Sequence, residues 1–540
     1  MKNILSVKNG HRPTGMAWQG DQTGISFSNE TILRALLDLE KPAWAVEEQG
    51  RIGIATGGTA QQGNMEPKIL GLAPALRMES LGDPGFRETY GTRYAYYTGA
   101  MANGIATEDL VIALGREGFM GCFGAGGLGP QRIESAIAKI QAALPNGPYA
   151  FNLLNNPNEP PLEAQVVELY LKHAVRVVEA SAYLALTVPL VHYRVAGLSL
   201  TAAGEVVIGN RLIAKLSRLE MAEKFLEPAP AEILQLLVER KKITAEQAEW
   251  SQRVPMADDI TVEADSGGHT DNRPLVCMIP AFLALRDQIQ EKYGYAQPAR
   301  IGAAGGIGTP SAAAAALMLG AAYLVTGSVN QACVESGASG TTRELLGKMD
   351  MTDIAMAPAA DMFEMGVKVQ VLKRGTMFSM RAQKLYELYS RYAAWEEVPQ
   401  ADRERLEKTV FKRDFESIWK DTEKFFMERD PRQIERANTN PKDKMALVFR
   451  WYLGLSSRWS IHGEKGREID FQVWTGPAMG AFNDWVKGTY LEAPQNRRVT
   501  DVAKHLLRGC AYLIRLRSLE MQGVVFPACL QRYIPSQAMS

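Results

Sequence analysis

Residues 257–273 read Ala-Asp-Asp-Ile-Thr-Val-Glu-Ala-Asp-Ser-Gly-Gly-His-Thr-Asp-Asn-Arg, and their pattern organises the rest of the chain. A short β-rich run, Ile260–Val262, is flanked by acids and ends in two glycines, Gly267 and Gly268, that present a single histidine, His269. Further on comes Ile301-Gly-Ala-Ala-Gly-Gly-Ile-Gly-Thr-Pro, and a second apolar run closes with Thr326-Gly327-Ser328. Strand, glycine turn, helix, strand, glycine turn is how the last strands of a (β/α)8 barrel build an anion site from amide N–H groups and helix N-termini. Gly305, Gly306, Gly308, Gly327 and Ser328 are the candidates for that site. A histidine at the end of the preceding strand stands over whatever the anion anchors.

Outward from this stretch, strand–helix alternation runs back to about residue 90 and predicts parallel β/α units. Tyr94–Met101 reads as the first strand and Thr107–Leu114 as the capped helix after it. Phe119–Phe123, Tyr149–Leu154 and Val175–Ala180 follow as strands, with helices over Ile133–Leu144 and Leu162–His173 between them. The Gly209-Asn210 pair between two β runs predicts a hairpin leading into the fifth strand. Strands six to eight are Asp259–Glu263, Arg300–Ala303 and Tyr323–Val325. The expectation is an α/β protein, a (β/α)8 TIM barrel at 86–385, with a small N-terminal accessory module at 1–85 and a helical C-terminal region at 386–540. An open doubly wound sheet is the alternative, but it would place its glycine fingerprint after the first strand, and here the glycines fall late.

Composition narrows the function. The chain of 540 residues carries 60 basic and 60 acidic side chains, so no global field draws it to nucleic acid or an anionic membrane. Its five cysteines form no CxxC pair, which argues against a zinc site or disulfide framework and suits a reducing, cytoplasmic setting. The N-terminal run Met-Lys-Asn-Ile-Leu-Ser-Val-Lys loses its apolar character too soon for a signal peptide. The alanine-rich segment 312–325 is too short to span a bilayer.

An anion loop under a displayed histidine suits a flavin, anchored by its phosphate beneath the reacting ring. His269 is the candidate proton donor, since an ordinary imidazole pKa near 6.5 allows donation around neutrality. Asn152, at the end of strand three, is placed to hydrogen-bond a flavin ring. Lys215, at the end of strand five, is placed to neutralise the charge of reduced flavin. Ala100 and Met101, in the first-strand run, and Gly267 and Gly268 complete the cofactor-binding candidates, and Glu263 and Asp265 offer carboxylates near His269.

These blocks resemble the nitronate monooxygenase/FabK-like flavoprotein superfamily, which shows Gly-Gly-His after strand six, Gly-Gly-Ile after strand seven and Gly-Thr or Gly-Ser after strand eight. The chain more closely resembles the PfaD family, the free-standing enoyl reductases of polyunsaturated fatty acid and related polyketide synthases. The matching text includes Glu79-Ser-Leu-Gly-Asp, Tyr94–Ile105, Ala257–Leu275, Met356–Lys368 and Arg450–Ser460, and leaves out only the stretch before about residue 60. The resemblance implies an FMN enzyme that takes hydride from NADPH and reduces trans-2-enoyl thioesters on an acyl carrier protein, without metal, and admits a homodimer. Its superfamily usually carries Glu four residues before the histidine; here Asp265 stands there. A nitronate monooxygenase is one rival reading, and a non-catalytic barrel that scaffolds a synthase complex is the other. The Trp- and Arg-rich stretches of the C-terminal region, such as Arg450-Trp and Arg458-Trp, are expected to serve a carrier partner.

Overall fold

Eight parallel strands close into a barrel: Tyr96–Thr98, Met120–Phe123, Ala150–Leu154, Val177–Ser181, Arg211–Leu216, Asp259–Glu263, Arg300–Ala304 and Leu324–Thr326. The computed structural model describes residues 4–8, 14–63, 65–155 and 160–539, so part of the N-terminal run read above lies outside it. Side chains alternate across each strand, and the alternation sorts them into two cores. Tyr96, Phe123, Phe151, Val178, Leu212, Ile260, Ile301 and Leu324 face the surrounding helices. Tyr97, Cys122, Ala150, Ile213, Ala304 and Val325 fill the interior.

That interior is partly polar. Tyr97 donates to Glu179 Oε2 at 2.9 Å, and its hydroxyl lies 3.1 Å from Thr261 Oγ1. The Tyr323 hydroxyl lies 2.9 Å from the same Thr261 oxygen. Below this level, the fully buried Asp259 receives both Nε (2.7 Å) and Nη2 (2.8 Å) of Arg300. Such a bidentate pair satisfies a carboxylate that would otherwise be costly to bury. The interior is therefore a packed plug, with an ion pair at its floor and Glu179 nearer the strand C-termini.

The expected hairpin is placed differently. Val206–Ile208 pairs antiparallel with Leu198–Leu200, while Arg211–Leu216 joins the barrel beside Val177–Ser181. Asn210 explains the switch. Its side chain is buried, donating to Tyr193 O at 2.7 Å, while its backbone carbonyl accepts from Arg194 at 3.1 Å. It ties the chain to the preceding helix rather than turning it back on itself.

The N-terminal module is an antiparallel five-stranded sheet beside helix Asn29–Leu37, which opens with a Ser28–Thr31 capping box. Its core includes Ile32, Leu36 and Ile54, and also Tyr512, Leu516 and Leu519 from the long helix Val499–Met521. Buried Arg515 donates to the carbonyls of Leu36, Asp38 and Lys41, so the C-terminal helix clasps the module.

The C-terminal region is helical, but its residues divide among cores instead of changing character at 386. Residues 357–453 supply a separate aromatic core, in which Trp395 stacks on Phe415 with ring centroids 4.5 Å apart. Phe471, Val473, Met479, Phe482 and residues of Val499–Met521 return to the barrel core. The departing and returning segments touch, since Leu372 N donates to Val473 O at 2.9 Å. The helices between these stems form an insert.

Candidate active site

Five polar side chains meet at the C-terminal ends of strands three to six. Lys215 Nζ lies 2.7 Å from Glu263 Oε1 on the neighbouring strand. Asn152 donates through Nδ2 to Glu179 O and Ser181 Oγ, both at 3.1 Å. Glu179 Oε1 in turn accepts from Ala100 N at 3.4 Å, which brings the first strand's end to the same point. Met101 lies one residue further, its carbonyl accepting from Ala106 N at 3.1 Å.

The charges here are unevenly held. Burial pushes the Glu179 carboxyl up, although Lys215 and the Tyr97 hydroxyl oppose the change. Burial works against the Lys215 ammonium, but Glu263 and Glu179 outweigh it and raise its pKa above the ordinary 10.5. Lys215 thus stays cationic between two carboxylates.

His269 belongs to a different substructure. Gly268–His269 pairs antiparallel with Lys368–Leu372, which pairs with Ile354–Pro358, making a three-stranded sheet above the barrel mouth. Its Nε2 faces Asp361 Oδ1 at 3.3 Å, with 45% of the side chain exposed. Burial draws the His269 pKa down, but the Asp361 carboxylate by contact and charge, with help from Glu263, leaves it raised above 6.5. The turn below is clamped by Gln370, which donates to Asp265 Oδ1 at 2.8 Å and to Ser266 O at 2.7 Å. Asp265 also accepts from Asn272 at 3.0 Å, so its carboxylate holds the turn together.

The glycines divide by what surrounds them. A Cβ on Gly306 or Gly327 would meet nothing within 4 Å, and Gly306 has φ +71, a conformation open to glycine. Gly305 (φ +85) packs against the backbone of Ala264 and Asp265 instead. Gly267 is closed by Thr475, whose backbone an added Cβ would meet at 2.7 Å. Gly308 is closed by Ala478, whose carbonyl oxygen an added Cβ would meet at 2.1 Å. Ser328 Oγ accepts from Gly476 N at 3.1 Å. Residues 475–478, returning from the insert, therefore wall one side of the glycine loops and leave Gly306 and Gly327 open.

Sequence reading missed Glu179, Asp361, Gln370 and this returning wall. Glu179 had a signal, a lone acid in Val177-Val-Glu-Ala. Asp361 lies inside the matching block Met356–Lys368 without standing out in it, and the wall had no signal, because both reach the site from beyond the barrel strands. Arg450 is also committed elsewhere than expected. It donates to Ala360 O at 2.9 Å and Glu364 Oε1 at 3.0 Å and is mostly covered. The nearby tryptophans likewise pack: Trp451 and Trp459 lie against the insert core. Among the described residues, no cluster of three or more His, Cys, Asp or Glu can hold a metal, and no helix is long and apolar enough to cross a membrane.

Residues 92–387 match the nitronate monooxygenase family model. Residues 18–75 match the N-terminal domain of fatty acid synthase subunit PfaD, which brings the N-terminal module inside the resemblance after all. Residues 392–471 match the inserted helical domain of acyl-carrier-protein S-malonyltransferase. A polyunsaturated fatty acid synthase component of Thraustochytrium sp. is 48% identical over 503 residues, covering 92% of this chain and 33% of that protein. Polyketide biosynthesis protein PksE of Bacillus subtilis is 48% identical over 447 residues, covering 83% of this chain and 58% of that one. The chain thus spans only part of the length of these relatives. The crystal structure of the enoyl reductase domain of MlnA, from the macrolactin cluster of Bacillus amyloliquefaciens, superposes with a TM-score of 0.78 at 41% identity. That match covers 82% of this chain and 100% of the domain. With a family model spanning more than half of its length, a PfaD-type N-terminal module and this structural relative, the chain belongs to the nitronate monooxygenase family of flavin oxidoreductases, in its PfaD branch.

Proposed function

We propose that this chain is an FMN-dependent enoyl reductase that acts in trans on trans-2-enoyl thioesters carried by an acyl carrier protein, with NADPH as hydride donor. The observation that carries the reading is the pairing of two open glycine turns, Gly306 and Gly327, with His269 held above the same end of the barrel. The residues fit the cofactor. The backbone at Gly306 and Gly327 is bare toward open space, as close approach of N–H groups to a phosphate requires.

When bound, FMN supplies the hydride for the thioester's Cβ. The chain's own residues do the rest. Gly305, Gly306, Gly327 and Ser328 would hold the phosphate, with Gly267, Gly268 and Gly308 keeping the turns tight. Asn152, fixed by Glu179 and Ser181, would border the ring together with Ala100 and Met101. Lys215 would offset negative charge on the reduced ring. His269 holds the proton for Cα. The carrier partner belongs to this reading because one relative is a polyunsaturated fatty acid synthase subunit and another a polyketide biosynthesis protein.

Purification followed by steady-state kinetics tests the proposal. A yellow protein that consumes NADPH only when an enoyl thioester is present supports it. The nitronate monooxygenase match favours one rival, and oxygen uptake with a nitronate, with no enoyl-dependent turnover, would establish that rival instead.

A further inference from the structure

We propose that Asp361 is a positioning residue for His269, delivered to the barrel mouth by the stem of the helical insert. The inference rests on the reading of His269 as proton donor and adds the group that orients it. Asp361 lies in the turn between Ile354–Pro358 and Lys368–Leu372, and its Oδ1 stands 3.3 Å from His269 Nε2. Two independent features place it there. The ladder pairs His269 with Val369, so the imidazole and the turn share one small sheet. Arg450, from the insert helix Pro441–His462, pins both sides of the turn through Ala360 O and Glu364. Phe363, also in the turn, is buried in the insert core.

This arrangement assigns the ring nitrogens. With Nε2–H directed to Asp361, Nδ1–H is the proton free to move. In the step, the Nδ1–H bond breaks, its electron pair stays on nitrogen, and the proton forms the new bond at Cα. The imidazole is left neutral, with Nε2–H still held by Asp361, and solvent reprotonates Nδ1 afterwards. The charged groups that face His269 are Asp361 from the turn and Glu263 and Lys215 from the barrel strands. Two carboxylates against one ammonium favour the imidazolium. A general acid with a raised pKa stays protonated, and the enzyme active, to higher pH.

The test uses the full-length flavoprotein with Asp361→Asn and Asp361→Glu. In nitrogen-15 NMR of labelled imidazoles, Asp361→Asn should lower the His269 pKa by roughly one unit, the usual order for losing an adjacent opposite charge. The basic limb of the pH–kcat profile should move down by the same amount, with FMN retention unchanged. Asp361→Glu should restore most of both. An unchanged His269 titration in folded Asp361→Asn overturns the proposal, and so does a failure of Asp361→Glu to restore it. The NMR titration does not depend on turnover, so failure of the parent reading is distinguishable: it would appear as full activity in His269→Ala.

Discussion

In the barrel, buried residues alternate along each strand between an apolar outer set and an inner set that includes Tyr97, Glu179 and Thr261. The insert buries Trp395, Phe411, Phe415, Phe449 and Tyr452 against one another. Parallel strands aim every second side chain at a shared axis, so polar groups on different strands converge at one end. Helices that face each other spend the same residues on filling space. The barrel is therefore suited to assembling chemistry. The insert reaches the polar end of the barrel through its stems, with Asp361 beside His269 on one side and residues 475–478 against the glycine loops on the other.

Substitutions in each region sharpen or break this division. His269→Ala should slow enoyl reduction by a factor on the order of 10²–10⁴ while FMN stays bound. Turnover close to the unmodified protein's would remove His269 from the chemistry.

Next come the glycines of the two loops. Gly327→Val should yield a folded but colourless protein, because the side chain has room in the apoprotein yet occupies the phosphate's approach. Gly308→Ala should instead lower thermal stability by about 1–3 kcal/mol, since its Cβ strikes the Ala478 backbone. Stoichiometric flavin in Gly327→Val would show the anion site to be misplaced.

In the insert, Trp395→Ala should cost about 3–5 kcal/mol of local stability, as deletion of a buried Trp usually does. Hydrogen exchange should rise across residues 378–462 and remain slow in the barrel strands. Equal loosening of both cores would mean that they unfold as one unit.

The smallest effect concerns the exposed basic residues. Lys420→Glu with Lys424→Glu, beside exposed Phe425, should raise the KM for carrier-bound enoyl substrate several-fold at low salt, a surface-charge effect. A small free thioester should be unaffected. Equal loss on both substrates would assign these positions a structural role.

The barrel was legible because each strand is a short apolar run ending in glycine or a polar residue, and every one of the eight lies within a few residues of its reading. The Gly209-Asn210 turn misled because its decisive partners, Tyr193 and Arg194, lie on a helix that local pattern does not connect to it. The C-terminal helices were visible as helices, but amphipathic spacing says which face is buried and not which core receives it. Arg450 shows the cost. Its basic, aromatic neighbourhood reads as a docking surface, whereas its hydrogen bonds hold a turn of the same chain. Asp361 and His269 meet through a strand pairing far apart in sequence, so no local motif announces their contact.

The contact between Leu372 and Val473 has an evolutionary consequence. A block whose two ends leave and re-enter a scaffold side by side can be acquired in a single genetic event, without re-threading the host. The likeness of residues 392–471 to an inserted domain of a transferase fits such traffic between enzymes. Because its doorway lies between His269 and the glycine loops, any exchange of this block reaches the proposed reaction centre at its threshold.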